Sequence, residues 1–308
     1  MIPCNYLLPL AYVVVDRAVV FYDQLGCGQS STVVGPGVLT KQTTTPADDS
    51  NKEDSNTLDV DSMVQDFQKL LHHWKFPKFH LLGHSFGGLL AFEYLKYVQI
   101  HNLPKEHECV SLVLASVPTS AKIVEEEVQR LCQELALNGE ISKDEHGQED
   151  EGVVASLAKN LPQAFREQHE CRLVPIPFPL MDSYDKAGPP KLRGLQSIET
   201  YAASLLVLDA SESPTEEVSS ESATKGDESN DNQPKKTPTS KKLKTPVLIL
   251  RGQHDFVTEA CVKGWDDLFR DRSYMTLAGC SHYGMLENEV MYGSVVSSFM
   301  GEIERSDD

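Results

Sequence analysis

Three side chains far apart in the chain, Ser85, Asp255 and His282, have the types and order that nucleophilic catalysis requires. A serine hydroxyl is a weak nucleophile until a histidine accepts its proton. That histidine in turn needs a carboxylate to fix its tautomer and orientation. Ser85 lies in Gly83-His84-Ser85-Phe86-Gly87, with Gly88 following. G-x-S-x-G marks a sharp strand-to-helix turn that pushes a serine out at the end of a sheet. The pattern alone is weak, because a glycine-rich turn with Ser85 as a helix cap reads the same way. Placement strengthens it: the apolar run Phe79–Leu82 comes directly before, and Leu89, Leu90, Phe92, Leu95 and Val98 follow at roughly helical spacing.

Asp255 follows the apolar run Val247–Leu250 by the short turn Arg251-Gly252-Gln253-His254. His282 lies in Ala278–Gly284, just past the weaker run Ser273–Leu277. Both therefore fall at the sheet edge that carries Ser85. The backbone N–H of Phe86, the residue after the nucleophile, is the expected donor to a developing oxyanion. Other histidines fit less well. His72, His73 and His80 precede the serine, and His84 is locked beside it. His101, His107, His146 and His169 fall in connections or in an inserted region, and His254 occupies the acid's own turn.

The elements that must position these groups are legible as apolar patterns. Ala18–Tyr22, Phe79–Leu82, Val110–Ala115 and Val247–Leu250 read as buried parallel strands. Val60, Met63, Val64, Phe67, Leu70, Leu71 and Trp74 make one helical stripe, and Val262, Trp265, Leu268 and Phe269 another. Such alternation predicts an α/β fold, a doubly wound, mostly parallel sheet. About 130 residues separate the Val110–Ala115 and Val247–Leu250 strands, far more than a crossover needs. Ile123, Val124, Val128, Leu131 and Leu135 begin a helical pattern there, so 121–208 is expected to be a helical lid inserted in the core. The core itself is divided into 1–120 and 245–308.

Three stretches lack periodicity: 32–56, 139–151 and 209–244. None can bury enough surface to offset the entropy of ordering, so all are expected to be surface inserts, the last one disordered. Lys235, Lys236, Lys241, Lys242 and Lys244 could form a nuclear address, but a solvated linker is the commoner meaning of such a cluster.

Composition narrows the function classes. The 308 residues include 46 Asp and Glu against 28 Lys and Arg, a net charge of −18, which argues against a nucleic-acid partner. Seven scattered cysteines with no C-x-x-C pair suggest neither a zinc site nor a disulfide framework, and hence a reducing, cytoplasmic setting. Leu7–Val15 is too short to span a bilayer, so no membrane partner is expected. Gly26-Cys27-Gly28 has Ser31 where a dinucleotide loop needs its third glycine. Neither cofactor nor metal is expected, and oligomeric state is left open.

Tyr22-Asp23-Gln24-Leu25-Gly26-Cys27-Gly28-Gln29-Ser30, the Gly83–Gly88 elbow, Leu250–Asp255 and Ser281-His282 with Leu286-Glu287 resemble the proline iminopeptidase group of α/β-hydrolases. The resemblance implies a serine aminopeptidase that releases N-terminal residues, proline above all, from peptides or amino-acid amides through an acyl-enzyme. It also implies lid carboxylates that hold the substrate's free amino group. By position Glu199, in Leu195–Tyr201, is the candidate, though an exposed helix glutamate would read alike.

One departure accompanies the match. Members of the group carry His-Gly-Gly-Pro-Gly a dozen or more residues before the Asp-Gln run, whereas Met1-Ile2-Pro3-Cys4-Asn5-Tyr6 resembles the stretch just after that loop. The resemblance thus implies that N-terminal strands and a second oxyanion donor are missing, the latter worth about 10²–10³ in turnover. It also implies a gap between Ala18–Tyr22 and Phe79–Leu82, with unpaired backbone groups or a re-paired first strand. Two other readings stand beside the aminopeptidase: a non-catalytic or truncated relative, and an esterase or amidase of the same fold. Epoxide and haloalkane chemistry is disfavoured, because such relatives place Asp at the elbow.

Overall fold

Short runs of Val, Leu and Ile pair side by side because helices cover both of their faces, which removes the need for polar alternation. The computed structural model describes residues 4–14, 16–25, 27–30, 59–103, 106–141, 161–187, 200–205 and 242–307. Four strands form one parallel sheet in the order β1 (Lys78–His84), β2 (Glu108–Ala115), β3 (Val247–Gly252), β4 (Arg272–Leu277). Leu82 pairs with Val113, Leu114 with Ile249, and Leu250 with Met275. β2 is buried from Ser111 onward and β3 throughout except Arg251. β4 is exposed at every position but Leu277, which explains its weaker apolar pattern.

Helices pack on both faces, after a short N-terminal helix, α1 (Leu10–Val13). On one side α2 (Val60–Trp74) starts at Asp59, whose side chain accepts from the Ser62 N–H at 2.7 Å. It ends where Lys75 turns left-handed, at φ 56°. Its stripe buries Met63, Val64, Phe67 and Leu71 against α3 (Phe86–Ile100), which is itself buried without interruption from Gly88 to Leu95. On the same side α4 (Ala121–Leu137) buries Val124, Val128, Leu131, Cys132 and Leu135, as its spacing predicts. On the other face the C-terminal helix Glu289–Asp307 contributes Tyr292, Val296, Phe299 and Met300 to a second core with Tyr6 and Leu10. Among the described residues no helix is long and apolar enough to cross a membrane.

Three expectations need correction. Val262 to Phe269 is not one helix but two single turns, Glu259–Val262 and Trp265–Leu268. The break at Gly264 lets the backbone pass against Thr119, where a methyl group would approach the hydroxyl to 2.8 Å. Trp265 Nε1–H, drawn inward, donates to the Val117 carbonyl at 2.9 Å. The polar insert predicted to end at 244 ends earlier. Leu243 is only 2 % exposed and bridges to Phe269, because the one large apolar side chain near the end of that stretch can join the core.

The third correction matters most. Ala18–Tyr22 is not a strand: it runs without regular structure, pairs with nothing in the sheet, and leaves Val20 48 % exposed. Among the described residues β1 is the outermost strand on this side. A cavity of about 1010 Å³ is lined by Ala18, Val20 and Phe21 and by His80, Leu81 and Leu82 of β1. Among the described residues, Ala18–Tyr22 has not re-paired with β1. The segment is held from its ends. Arg17 donates to Glu304 at 3.0 Å through Nε, and Tyr22 stacks on Phe67 with centroids 5.8 Å apart. Of the predicted inserts, 32–56 lies outside the described residues, as do 142–151, 209–241 and Glu199.

A strand with one partner frays more readily than one with two. Backbone amides of β1 from Phe79 to Leu82 are expected to exchange with deuterium at least about tenfold faster than those of Leu112–Leu114 in β2. Peptide-resolved hydrogen exchange measures this, and equal protection would mean that the β1 edge is covered.

Candidate active site

β1 stops at His84 and α3 starts at Phe86, so Ser85 alone turns the chain. It does so at φ 52°, ψ −123°, a conformation L-residues rarely hold unless their surroundings impose it. Its N–H donates to the Ala115 carbonyl of β2 at 2.9 Å, and its own carbonyl accepts from the Gly88 N–H at 3.0 Å. Strand and helix nearly touch here. A methyl group on Gly83 would collide with the Gly88 backbone, and one on Gly88 with the Val117 side chain. Gly87 faces open space, so the motif's last glycine is not a steric necessity at this elbow. The Phe86 N–H is the first amide of α3, at the positive end of the helix dipole.

Asp255 leaves the end of β3 on a turn stitched to the loop after β4. Gln253 N–H donates to Leu277 O at 2.9 Å and His254 N–H to Cys280 O at 2.8 Å, while Gly279 N–H reaches Gln253 Oε1 at 2.9 Å. These bonds bring Asp255 and His282 together from 27 residues apart: His282 Nδ1 lies 2.9 Å from Asp255 Oδ1. The same oxygen accepts from the Val257 N–H at 2.8 Å, and both side chains are buried. Phe256 stacks almost flat on the imidazole, with centroids 4.2 Å apart and planes at 25°. With Nδ1–H committed to the carboxylate, Nε2 is the ring nitrogen left to handle a proton. Ser85 and His282 line the same cavity, and Phe86 lies beside them. No hydrogen bond joins the Ser85 hydroxyl to the imidazole in this structure. In sites without substrate that contact is commonly long.

Further residues hold the imidazole's backbone, and most of them leave no direct sign in the sequence. The His282 carbonyl accepts from His84 Nε2–H at 2.9 Å and from the Ser116 hydroxyl at 3.3 Å. Its N–H donates to the His169 carbonyl at 3.3 Å, and the Tyr283 N–H to the Glu170 carbonyl at 3.2 Å. Ser281 Oγ stands 2.6 Å from Glu287 Oε1. The stretch around 169–170, expected to be lid, therefore buttresses the histidine loop. His254, the nearest rival, lends this network its backbone: its carbonyl accepts from His169 Nδ1–H at 2.8 Å.

His84 is itself informative. With Nε2–H donating, its Nδ1 must accept, and the Tyr6 hydroxyl supplies a proton at 3.0 Å. Burial, and then the nearby His282, hold its pKa well below 6.5, so it is a neutral histidine. The sequence placed His84 beside the serine but gave it no role. Tyr6, 78 residues away, could not be foreseen.

A parallel sheet wrapped by helices on both faces, with serine, aspartate and histidine brought to one edge, defines a class, and the sequence comparison agrees. The pattern of the alpha/beta hydrolase fold family matches residues 5–289, and the chain belongs to that family. It is similar to proline iminopeptidases. One from Lactobacillus delbrueckii subsp. bulgaricus is 26 % identical over 294 residues, covering 92 % of this chain and 80 % of that protein. One from Lactobacillus acidophilus is 31 % identical over 123 residues, which is 40 % of this chain and 33 % of that protein. Among solved structures, the proline iminopeptidase of Mycobacterium smegmatis superposes with a TM-score of 0.63 at 20 % identity, covering 99 % of this chain and 87 % of that one. VinJ does so with 0.62 at 21 %, covering 98 % and 87 %. At these identities the structural likeness speaks for the fold.

His84 should make stability depend on pH. In the unfolded chain it binds a proton near its ordinary value of 6.5, while in the fold it resists doing so. Stability is therefore fully present above that value and falls as pH drops below it, by up to about 1.4 kcal/mol per pH unit. Urea unfolding between about pH 7 and pH 5 is expected to show a smaller loss in His84→Gln than in the wild type. Parallel losses would mean that His84 titrates alike in both states.

Proposed function

We propose that the protein is a serine aminopeptidase of the proline iminopeptidase type. Ser85 Oγ attacks the carbonyl carbon of the substrate's N-terminal residue as His282 Nε2 takes its proton. Asp255 stabilises the imidazolium, and the Phe86 N–H receives the developing oxyanion. The tetrahedral intermediate expels the leaving amine, protonated by His282, and leaves an acyl-enzyme. Water, deprotonated by the same imidazole, then releases the amino acid and restores Ser85. The observation that carries this reading is the buried 2.9 Å contact between Asp255 and His282 on the cavity that Ser85 also lines. The similarity to proline iminopeptidases over nine-tenths of the chain supports the substrate class.

A substrate with a free amino group needs a carboxylate in the pocket. Glu170 lines the cavity with Tyr184 and Tyr201, and its Oε1 accepts from the Tyr184 hydroxyl at 2.7 Å. Arg166 Nη1, 3.7 Å from Oε2, holds it loosely enough to leave room for a second cation. Glu170 is thus our candidate for the ammonium group. A second reading, an esterase of the same fold, draws support from the apolar side chains, Leu82, Val296 and Met300 among them, that also line the cavity.

A fluorophosphonate probe is expected to label the wild type on Ser85, as mass spectrometry of the tryptic peptide would report, and to leave Ser85→Ala unlabelled. Label absent from Ser85 would end the proposal. Asp255→Asn should lower turnover of a prolyl anilide by about 10⁴-fold, the cost of presenting the wrong tautomer. Glu170→Gln should raise KM for that anilide by about tenfold, roughly one buried charge-assisted hydrogen bond, and leave a simple acetate ester untouched. If both substrates respond alike, the esterase reading gains.

A further inference from the structure

Away from the cavity, two histidines and a carboxylate meet where α2 ends and β2 begins. His72 lies in the last turn of α2, and Glu106 and His107 directly precede β2. One donor atom from each lies within 4.8 Å of the other two, and the imidazoles face edge to plane at 89° with centroids 6.2 Å apart. Among the described residues this is the one cluster of histidine, cysteine and acidic groups with such spacing.

The backbone beneath it is fixed. After Lys75 turns the chain, the Pro77 carbonyl accepts from the Glu108 N–H at 2.9 Å, so the two chain segments that carry the donors are pinned together. His107 Nδ1 lies 2.7 Å from the Phe76 carbonyl, an oxygen that can only accept. That contact places the proton on Nδ1 and leaves the lone pair of Nε2 available. A ring nitrogen tied to a backbone carbonyl, with the other directed outward, is the usual arrangement of a metal-binding histidine. His72 and Glu106 are exposed, so their side chains can close on an ion. Donors around a tetrahedral ion stand roughly 3.3 Å apart, given metal–ligand lengths near 2.0–2.1 Å, so closing from 4.8 Å takes a rotation of side chains that solvent leaves free.

We propose that His72, Glu106 and His107 form a binding site for a borderline divalent transition metal, Zn²⁺ or a close relative, with water completing the shell. Two imidazoles and one carboxylate favour such ions over Mg²⁺ and Ca²⁺, which prefer all-oxygen shells. A bound ion would tie the C-terminal end of α2 to the entry of β2. α2 also supplies Phe67, Leu71 and Trp74 to the cavity wall, so the clip would stiffen one side of that wall.

The test uses the full chain, titrated by calorimetry with ZnCl₂ and, in parallel, with MgCl₂. One equivalent of Zn²⁺ should bind, with no response to Mg²⁺, and saturating Zn²⁺ should raise the melting temperature. His72→Gln, at an exposed position where glutamine sustains a helix, should weaken binding at least about tenfold, as should His107→Ala, while Glu106→Gln weakens it less. Seven cysteines are the rival ligands. Co²⁺ separates the cases, since thiolate coordination adds an intense charge-transfer band that nitrogen and oxygen donors lack. Absence of Zn²⁺ binding, unchanged binding in the H72Q/H107A double variant, or a thiolate band for the bound Co²⁺ would each overturn the site.

Discussion

A carboxylate buried without a partner is too costly for a marginally stable fold, so Asp255 imposes conditions on everything near it. His282 answers it through Nδ1, and the Val257 amide answers it a second time. To deliver His282, the loop after β4 must be tied to the turn after β3, which the Gln253, His254 and Gly279 bonds accomplish. Phe256 covers one face of the imidazole and limits its rotation. Stability and the proposed chemistry therefore rest on the same contact: both bonds fall on Oδ1, the buried Oδ2 receives none among the described residues, and the Nδ1 bond leaves Nε2 as the ring nitrogen available for proton transfer.

That contact is supported from outside the sheet as much as from within it. Tyr6 arrives from the first described turn and acts on the histidine loop through His84, whose other ring nitrogen holds the His282 carbonyl. The 169–170 segment approaches from another side and takes the amides of His282 and Tyr283. Such peripheral supports explain how a loop histidine can be only 4 % exposed. They also make the site sensitive to substitutions that never touch a substrate.

The cavity beside β1 is the second feature that shapes the described part of the molecule. Parallel strands are ordinarily covered on both faces and paired on both edges except at the sheet's ends. Among the described residues the outermost strand is the one that leads into Ser85, and the cavity is lined along it by His80 and by the Arg17–Glu304 pair. Glu304, held down to about 2 chiefly by its Arg17 hydrogen bond, stays charged on a cavity whose lining also includes the apolar Val296, Met300 and Ile303.

What the sequence determined by itself was local and periodic. Apolar runs predicted β1, β2, β3 and the exposed β4, and i, i+3, i+4 spacing predicted α2, α3 and α4, because burial on one or two faces leaves its period in the chain. The elbow around Ser85 was legible because only a few residue types tolerate a turn that tight, and Asp255 and His282 followed from their places after apolar runs. Ala18–Tyr22 looked equally strand-like, yet a strand needs a neighbour to bond, and no local pattern reveals whether one is present. Tertiary structure alone decided that Tyr6, Phe256 and the 169–170 backbone would gather around His282, and that His72 and His107 would face each other. Such contacts join residues tens of positions apart, and they depend on which surfaces remain once the periodic elements have packed.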